Sequence, residues 1–260
     1  MPLPPVPDSY YWADAPWGAA LRCRPLDELA THVFTTRQLT LNHSDYEQLA
    51  HAVGVEHVMT LTQVHGASAV VIRRGSSPPA APPEADILVS NDPSVAIAVR
   101  AADCVPILMV DRVTGAVAAV HAGWRGTAAR AAVSAVNTMQ HEFGTHPRDV
   151  VAAIGPSIGP CCYQVGSDLV DAFAAAGHER YLIERWFSTP PPPRGSRERP
   201  QLRLDVAGAN RDQLVLAGVP ERQICDSRLC TAMHLEVLTS YRAEKENAGR
   251  IVGAIVAARR

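Results

Sequence analysis

Three side chains far apart in the chain, His65, Cys104 and His121, are of the types zinc prefers as ligands: two imidazoles and a thiolate. Three protein ligands leave a fourth coordination position open. Zinc in such a set lowers the pKa of bound water to about 7 and so supplies hydroxide at neutral pH. The ligands lie 39 and 17 positions apart, a spacing that matches no local zinc motif, so their convergence rests on the elements that carry them. The same atoms admit a second chemistry. Cys104 would be a nucleophile, His121 its base, and Asp103 or another carboxylate the group that orients the base. Spacing does not separate a thiolate ligand from a thiolate nucleophile, but a second imidazole, His65, favours the metal. Arg37, Arg125 and Arg242 lie at element ends beside turn or polar residues. There a guanidinium could hold a phosphate through two parallel hydrogen bonds. The remaining histidines, such as His43, His51 and His141, fall in helical or loop contexts and read as solvated.

The stretch 98–127, AVRAADCVPILMVDRVTGAVAAVHAGWRGT, does most of the positioning. Residues 105–110 and 116–120 are short apolar runs rich in β-branched side chains, and each reads as a buried strand. Gly115 in the intervening DRVTG serves a tight reversal. A hairpin of this kind brings Cys104, with Asp103 beside it, and His121 to one end of a sheet. Gly123 and Gly126 follow, and an Ala-rich helix from 127 to 143 closes on Gly144.

Around this unit, THVFTTR (31–37) reads as a strand that delivers Arg37, and 44–53 as a helix begun by Ser44 and stopped by Gly54. Residues 57–64 read as a strand that hands Gln63, His65 and Gly66 to a turn. Further strands are expected at 69–73, 86–90, 95–100, 149–154, 223–226 and 251–257, and helices at 167–176 and 204–217. GPSIGPCCYQVG (155–166) is a loop punctuated by Gly and Pro, a structural turn or a binding loop. Residues 1–20 resemble a packed arm more than a regular element, and 75–84 and 188–200 are Pro-rich surface loops.

Strands outnumber long helices, so the expected class is α/β (α+β) with a mixed sheet flanked by helices. Neither Pro-rich segment separates halves that could each close a core, so one domain is expected over 1–260. With 47% hydrophobic residues a sizeable core is available, and a net charge of −2 leaves no basic surplus for nucleic acid. Arg outnumbers Lys 23 to 1, which with abundant Ala and Pro reflects genome base composition rather than anion recognition. Six cysteines are too sparse for a disulfide scaffold, and the adjacent Cys161 and Cys162 could not bridge each other without strain. MPLPPVPDSYYW has neither the basic start nor the apolar core of a signal peptide. No run approaches the roughly 20 apolar residues that span a bilayer. The expectation is a reduced, cytoplasmic, soluble protein that binds neither nucleic acid nor membrane.

With these residues laid out, the chain resembles the YfiH-like family, also called the laccase-domain or polyphenol oxidase family. The matching stretches are TQVHG (62–66), ADILVSN (85–91), AADCVPILMVD (101–111), AVHAGWRGT (119–127) and AIGPSIGPCCYQVG (153–166). LDVAGANRDQL (204–214), CTAMHLEVLTSYR (230–242) and GRIVGAI (249–255) extend the likeness to roughly 30–258. The resemblance implies a fold like that of cytotoxic necrotizing factor toxins, which are cysteine hydrolases. It also implies a zinc site, with copper as the other candidate metal, on His65, Cys104 and His121. The implied activity is phosphorolysis of adenosine, inosine and methylthioadenosine to free base and (methylthio)ribose 1-phosphate, with deamination of adenosine to inosine. In that chemistry Asp103 would orient a ligand or shuttle a proton, and Arg37, Arg125 or Arg242 would fix phosphate. The implied partners are purine nucleosides and phosphate, handled by a monomer or small homo-oligomer.

Older naming makes the family copper-dependent polyphenol oxidases, and a bacterial branch is linked to editing of peptidoglycan precursors. A multicopper oxidase needs a trinuclear cluster besides its first copper. The chain has one three-ligand set and no His-x-His pair, too few ligands for it. Two stretches depart from the family pattern. TTRQLTLNHSDYEQL runs on directly where relatives carry a Gly-Gly-Val-Ser loop, and the paired arginines after Ser-Tyr are reduced to Arg242, followed by Ala243.

Overall fold

The computed structural model describes residues 3–39, 43–77, 79, 81–191 and 200–258. In chain order the strands are β1 (Tyr10–Ala15), β2 (Gly18–Cys23), β3 (Thr31–Phe34), β4 (His57–Met59), β5 (Ala69–Ile72), β6 (Ile87–Ser90) and β7 (Val95–Ala101). They continue with β8 (Val105–Asp111), β9 (Val117–Ala122), β10 (Val150–Ile154), β11 (Phe187–Ser188), β12 (Arg203–Leu204), β13 (Ile224–Asp226) and β14 (Ile251–Val256). The helices are α1 (Arg24–Asp27), α2 (His43–Val53), α3 (Trp124–Ala128), α4 (Ala131–Phe143), α5 (Ser167–Ala175), α6 (Arg180–Trp186), α7 (Val206–Leu216) and α8 (Tyr241–Glu244).

Side-chain alternation decides the layering, because successive residues of a strand face opposite sides. In β7 the larger Val95, Ile97 and Val99 point one way, into a core shared with Leu108 and Val110 of β8 and Val117 and Ala119 of β9. The small Ala96 and Ala98 point the other way, against Leu49 and Val53 of α2. On the far side of β8 and β9, Ile107, Met109, Ala118 and Val120 meet Ala132, Ala135 and Val136 of α4, with Leu214 of α7 in the same cluster. The mixed α/β architecture flanked by helices is therefore present, but in two sheets. Their strand orders are β1-β2-β3-β14-β7-β4 and β13-β10-β8-β9-β6-β5, six strands each, and both mix parallel and antiparallel pairs. Large residues toward the neighbouring sheet and Ala toward the helices suit a wide sheet-to-sheet gap and a close helix-to-sheet contact.

Several expectations need correction. The N-terminal stretch is no irregular arm: β1 and β2 form a hairpin in register Ala15↔Gly18, reversed at a Gly18 whose φ is +117°. Tyr10 anchors it through hydrogen bonds from its hydroxyl to the carbonyls of Ile154 (2.9 Å) and Cys225 (3.1 Å). The helix expected over 127–143 is broken: Arg130, at φ +60°, separates α3 from α4. Its guanidinium donates to the carbonyls of Ala176 (2.8 Å) and Gly177 (2.7 Å), partners a sequence pattern does not display. The strand expected over 57–64 stops at Met59 because the Gln63 side chain takes over. Its amide and the Arg100 backbone exchange two 2.8 Å hydrogen bonds. The helix expected from 204 starts at Val206, where the Asp205 carboxylate accepts from the Gly208 N–H at 2.9 Å.

Not all the remaining histidines are solvated. His32 (1% exposed) accepts the Cys23 N–H on Nε2 at 2.8 Å, and burial holds its pKa down at about 4. His178 is also buried, with Nε2 2.9 Å from the Ala128 carbonyl. The side chains of His43 and Ser44 lie outside the described residues, as do residues 40–42 before the helix and 78, 80 and 192–199 of the expected loops. What is described of the 188–200 loop begins in an antiparallel pair, β11 with β12. Among the described residues no helix is long and apolar enough to cross a membrane.

Candidate metal centre

The β8–β9 register sets Pro106 opposite His121 and Val105 opposite Ala122, so Cys104, one residue before β8, meets the end of β9 as the hairpin argument required. His65 joins them from the turn after Gln63. The ligand atoms of His65, Cys104 and His121 all lie within 4.8 Å of one another, and the imidazoles meet edge to face with centroids 4.9 Å apart.

One side chain organises all of this. Asp86, fully buried just before β6, accepts the Nδ1–H of His121 at 2.8 Å. The same carboxylate accepts backbone N–H groups from Gly66 (2.6 Å), His65 (2.9 Å) and Val64 (3.3 Å). Its backbone carbonyl takes the His121 N–H at 2.8 Å. The carboxylate thus takes Nδ1 of His121 and leaves Nε2 to face Cys104 and a cation, an arrangement common around zinc histidines. It also clamps the turn on which His65 sits at φ +62°, a conformation that costs a non-glycine residue about 1–3 kcal/mol unless neighbours impose it.

Burial disfavours ionisation of Asp86, but the His121 and backbone donors outweigh it and hold the carboxyl below its usual range. Burial likewise opposes the His121 imidazolium, but Asp86 and Cys104 win and raise its pKa to about 9. For Cys104, burial is overcome by His121 and His65, and the thiol falls to about 7. At neutrality and without a cation, Cys104 and His121 lean toward a thiolate–imidazolium pair.

The donor set fits a borderline-soft cation such as zinc: two imidazoles and one low-pKa thiol, whose ligand atoms converge within 4.8 Å of one another. The backbone makes room for them. Gly123, which caps α3, has no side chain, and a Cβ there would stand 2.8 Å from Cys104 Sγ and 3.1 Å from His65 Cδ2.

These residues open on a cavity of about 660 Å³. Its wall also includes Gln63, Asp103, Tyr163, Tyr241 and four cationic side chains, Arg100, Arg242, Lys245 and Arg250. Among the described residues none of the four is ion-paired with a carboxylate. Arg242 lies 5.2 Å from the Tyr163 ring and donates to the Gln164 carbonyl at 2.8 Å. Arg250 donates to the carbonyls of Ala248 (3.0 Å) and Gly249 (2.7 Å).

The structure divides the residues singled out from sequence. His65, Cys104, His121, Asp103 and Arg242 share the cavity. Asp103 holds its neighbours, not a ligand. One oxygen accepts the Thr231 hydroxyl and the other the Arg242 N–H, both at 2.6 Å. Arg37 and Arg125 are not in the wall. Arg37 is paired with Glu244 at 2.9 Å and bonded to the Leu235 carbonyl, and Arg125 lies 4.5 Å from the Trp124 ring. Sequence reasoning missed Asp86, Arg100, Tyr163, Lys245 and Arg250. Asp86, Tyr163 and Arg250 stand inside stretches quoted for the family likeness, and Arg100 immediately before one. Membership of a shared motif was the available signal.

Comparison with known proteins identifies the family. The family profile described as multi-copper polyphenol oxidoreductase laccase matches residues 31–258. A purine nucleoside phosphorylase of Bacteroides thetaiotaomicron is 37% identical over 66% of this chain and 60% of its own, so the chain spans under two thirds of that relative. Purine nucleoside phosphorylase YlmD of Geobacillus stearothermophilus is 36% identical over 78% of this chain and 73% of its own. Adenosine deaminase RL5, from an unknown prokaryotic organism, is 38% identical over 64% of this chain and 59% of its own. Among solved structures, the hypothetical protein YfiH of Bacillus licheniformis superposes with a TM-score of 0.81, at 26% identity, over 95% of this chain and 97% of its own. YlmD of Geobacillus stearothermophilus gives 0.79 at 29% identity, over 97% of this chain and all of its own. By profile, relatives and fold together, the chain belongs to the multi-copper polyphenol oxidoreductase laccase family, the YfiH-like laccase-domain proteins.

Proposed function

We propose that this protein is a zinc-dependent purine nucleoside enzyme. It phosphorolyses adenosine, inosine or methylthioadenosine to free base and (methylthio)ribose 1-phosphate, and it deaminates adenosine to inosine. One observation carries the reading. A single cavity joins a His65–Cys104–His121 ligand set to a wall of four cations without carboxylate partners among the described residues, in a chain whose net charge is −2. The names of the relatives, purine nucleoside phosphorylases and an adenosine deaminase, support it.

Zinc in such a set supplies Lewis acidity and a water of pKa about 7. The chain's own groups do the rest. Asp86 holds the His121 ring and the backbone turn that carries His65, so the ligands are gathered before a cation arrives. Arg100, Arg242, Lys245 and Arg250 give a dianion its partners, with guanidiniums suited to paired hydrogen bonds on phosphate. Tyr163 and Tyr241 offer ring faces to a purine and its ribose. In phosphorolysis a phosphate oxygen held on this wall bonds the ribose carbon as the bond from that carbon to the base breaks. Asp103, with both oxygens engaged, keeps Arg242 facing the cavity. Six free thiols suit a reduced, cytoplasmic setting.

Copper could sit on the same three ligands. The chemistry of a multicopper oxidase needs a second, histidine-rich cluster, however, and among the described residues the other three-ligand group is all cysteine. A second reading draws on the Cys104–His121 pair, whose shifted thiol and imidazole suit a cysteine hydrolase.

The test is product analysis by HPLC with adenosine, with and without phosphate. Phosphate-dependent adenine and phosphate-independent inosine are expected, and both fall in His121→Ala. Absence of either product removes that half of the proposal. Hydrolytic turnover of a peptidoglycan precursor by metal-free protein, abolished by a thiol alkylator, would move the assignment to the cysteine reading.

A further inference from the structure

We propose that Cys161, Cys162 and Cys230 form a second metal site, built for a soft thiophilic cation such as Cu(I) or Zn(II). Their sulfurs all lie within 4.8 Å of one another. A cation with three sulfurs at ~2.3 Å in a plane sets them about 4.0 Å apart, so the cluster needs only small side-chain adjustments to close on one. Thiolates of this number are the donors that select Cu(I) and Zn over harder ions.

The loops that carry the thiols are fixed to each other. Ser157 donates its N–H to the Leu229 carbonyl (3.1 Å) and its own carbonyl accepts from Thr231 (3.0 Å), which sets Cys230 beside the 155–166 loop. The N–H groups of Cys162 (3.0 Å) and Tyr163 (2.9 Å) both return to the Gly159 carbonyl, a tight turn that gathers two adjacent cysteines. Gly159 leaves the space the sulfurs need, since a Cβ there would stand 3.3 Å from Cys161 Sγ and 3.3 Å from Cys230 Cβ.

Charge is also provided for. The Gly159 N–H donates to Cys230 Sγ at 3.2 Å, and the Arg203 guanidinium binds the carbonyls of Pro160 and Cys161, a cation beside the sulfurs that would offset the charge of metal-bound thiolates. Cys161 is exposed, unlike a cysteine that merely fills a core, and it opens with Cys230 on a cavity of about 850 Å³. Binding is an exchange with no redox step: three S–H protons pass to water and three S–metal bonds form. The same loops touch Asp103 beside Cys104, through the Ile158 N–H (2.9 Å) and the Thr231 hydroxyl (2.6 Å). A cation on the three sulfurs would therefore brace the first site from behind.

The test uses the full chain as Cys104→Ser, which removes the only thiol of the first site. Metal-free protein kept reduced is titrated with Cd(II) and, separately, Cu(I), and followed by metal analysis and the ultraviolet thiolate-to-cadmium band. One bound ion per chain is expected, with a band that is lost on adding Cys230→Ser or Cys161→Ser. No binding, or a band the added substitutions leave unchanged, overturns the site. Should Cys230→Ser fail to fold, alkylation of Cys161 in the wild-type chain is followed by peptide mass spectrometry. Metal should slow it at least ~tenfold by capturing the thiolate, and unslowed labelling, or a Cys161–Cys230 disulfide in place of metal uptake, overturns the proposal as well.

Discussion

Replacing Asp86 by Asn tests whether one carboxylate holds the His121 imidazole and the backbone turn of His65 from behind. The wild-type group accepts from His121 Nδ1 (2.8 Å), His65 (2.9 Å) and Gly66 (2.6 Å) in a fully buried position. An amide keeps one acceptor and turns an NH2 toward whichever donors faced the other oxygen. If its oxygen stays on His121 and His65, the Gly66 and Val64 N–H groups lose their partner. Leaving a buried donor unsatisfied costs about 1–3 kcal/mol, and the second donor, on half-exposed Val64, less, so a folding loss of about 2–3 kcal/mol is expected, a fall in Tm of roughly 4–12 °C at ~2–4 °C per kcal/mol. The effect on metal is separable. The amide oxygen still accepts from His121 but without the carboxylate's charge, and mutating such an outer-shell partner weakens metal affinity about 10–100-fold, some 1.4–2.7 kcal/mol at ~1.4 kcal/mol per decade. Competition of zinc against a chromophoric chelator reads the affinity, and calorimetry of the metal-free protein reads Tm. The pH sign is also fixed. The Asp86 carboxyl is held below its usual range in the folded chain, so its contribution is present above the unfolded value of about 3.9. It is lost as pH falls through the folded value, and the wild-type advantage over Asp86→Asn should shrink there. A variant that loses Tm yet binds zinc within about threefold of wild type would refute the reasoning, leaving Asp86 a purely structural group.

Gly123→Ala puts a methyl 2.8 Å from Cys104 Sγ and 3.1 Å from His65 Cδ2 at a backbone φ of −73° that Ala tolerates. Zinc affinity should fall by about tenfold or more, for an overpacking cost of ~1–3 kcal/mol, with little change in the far-ultraviolet spectrum. Zinc affinity should rise with pH about tenfold per unit between about 7 and 9, where Cys104 is already thiolate and His121 must still lose a proton, and flatten above; isothermal titration at fixed pH values measures it. Arg250→Ala should raise KM for phosphate by ~10–100-fold, the ~1.5–3 kcal/mol of a charged hydrogen bond, while phosphate-free deamination of adenosine stays near wild type. Steady-state kinetics with the two assays side by side decide that.

The layering was legible where alternation was strong. The β8–β9 hairpin could be read from two apolar runs and Gly115, and with it the meeting of Cys104 and His121. The second sheet was not. Ala96 and Ala98 look as apolar as Ile97 and Val99, and only packing shows that one face meets α2 and the other a second sheet. Gln63 ended a strand by standing in for backbone, and Arg130 broke a helix by reaching the end of α5 and the loop beyond. Both are long-range hydrogen bonds that leave no local pattern. The ligand types were visible from the residues alone, but the carboxylate that orders them was not, since Asp86 is 21 and 35 positions from the histidines it holds. Arg100 and Arg250 join one wall because β7 pairs with β14, a contact across the whole chain. Arg37, an anion-binding candidate by position, is drawn to Glu244 instead.

The most direct test of the central claim is a diffraction map with anomalous signal at the zinc edge, from crystals of protein loaded with zinc. The account predicts a peak about 2.0–2.1 Å from one nitrogen each of His65 and His121 and about 2.3 Å from Cys104 Sγ, with one position facing the cavity of Arg100 and Arg250. A zinc-saturated crystal with no peak among those three side chains, or with density only at the three-cysteine cluster, would contradict it.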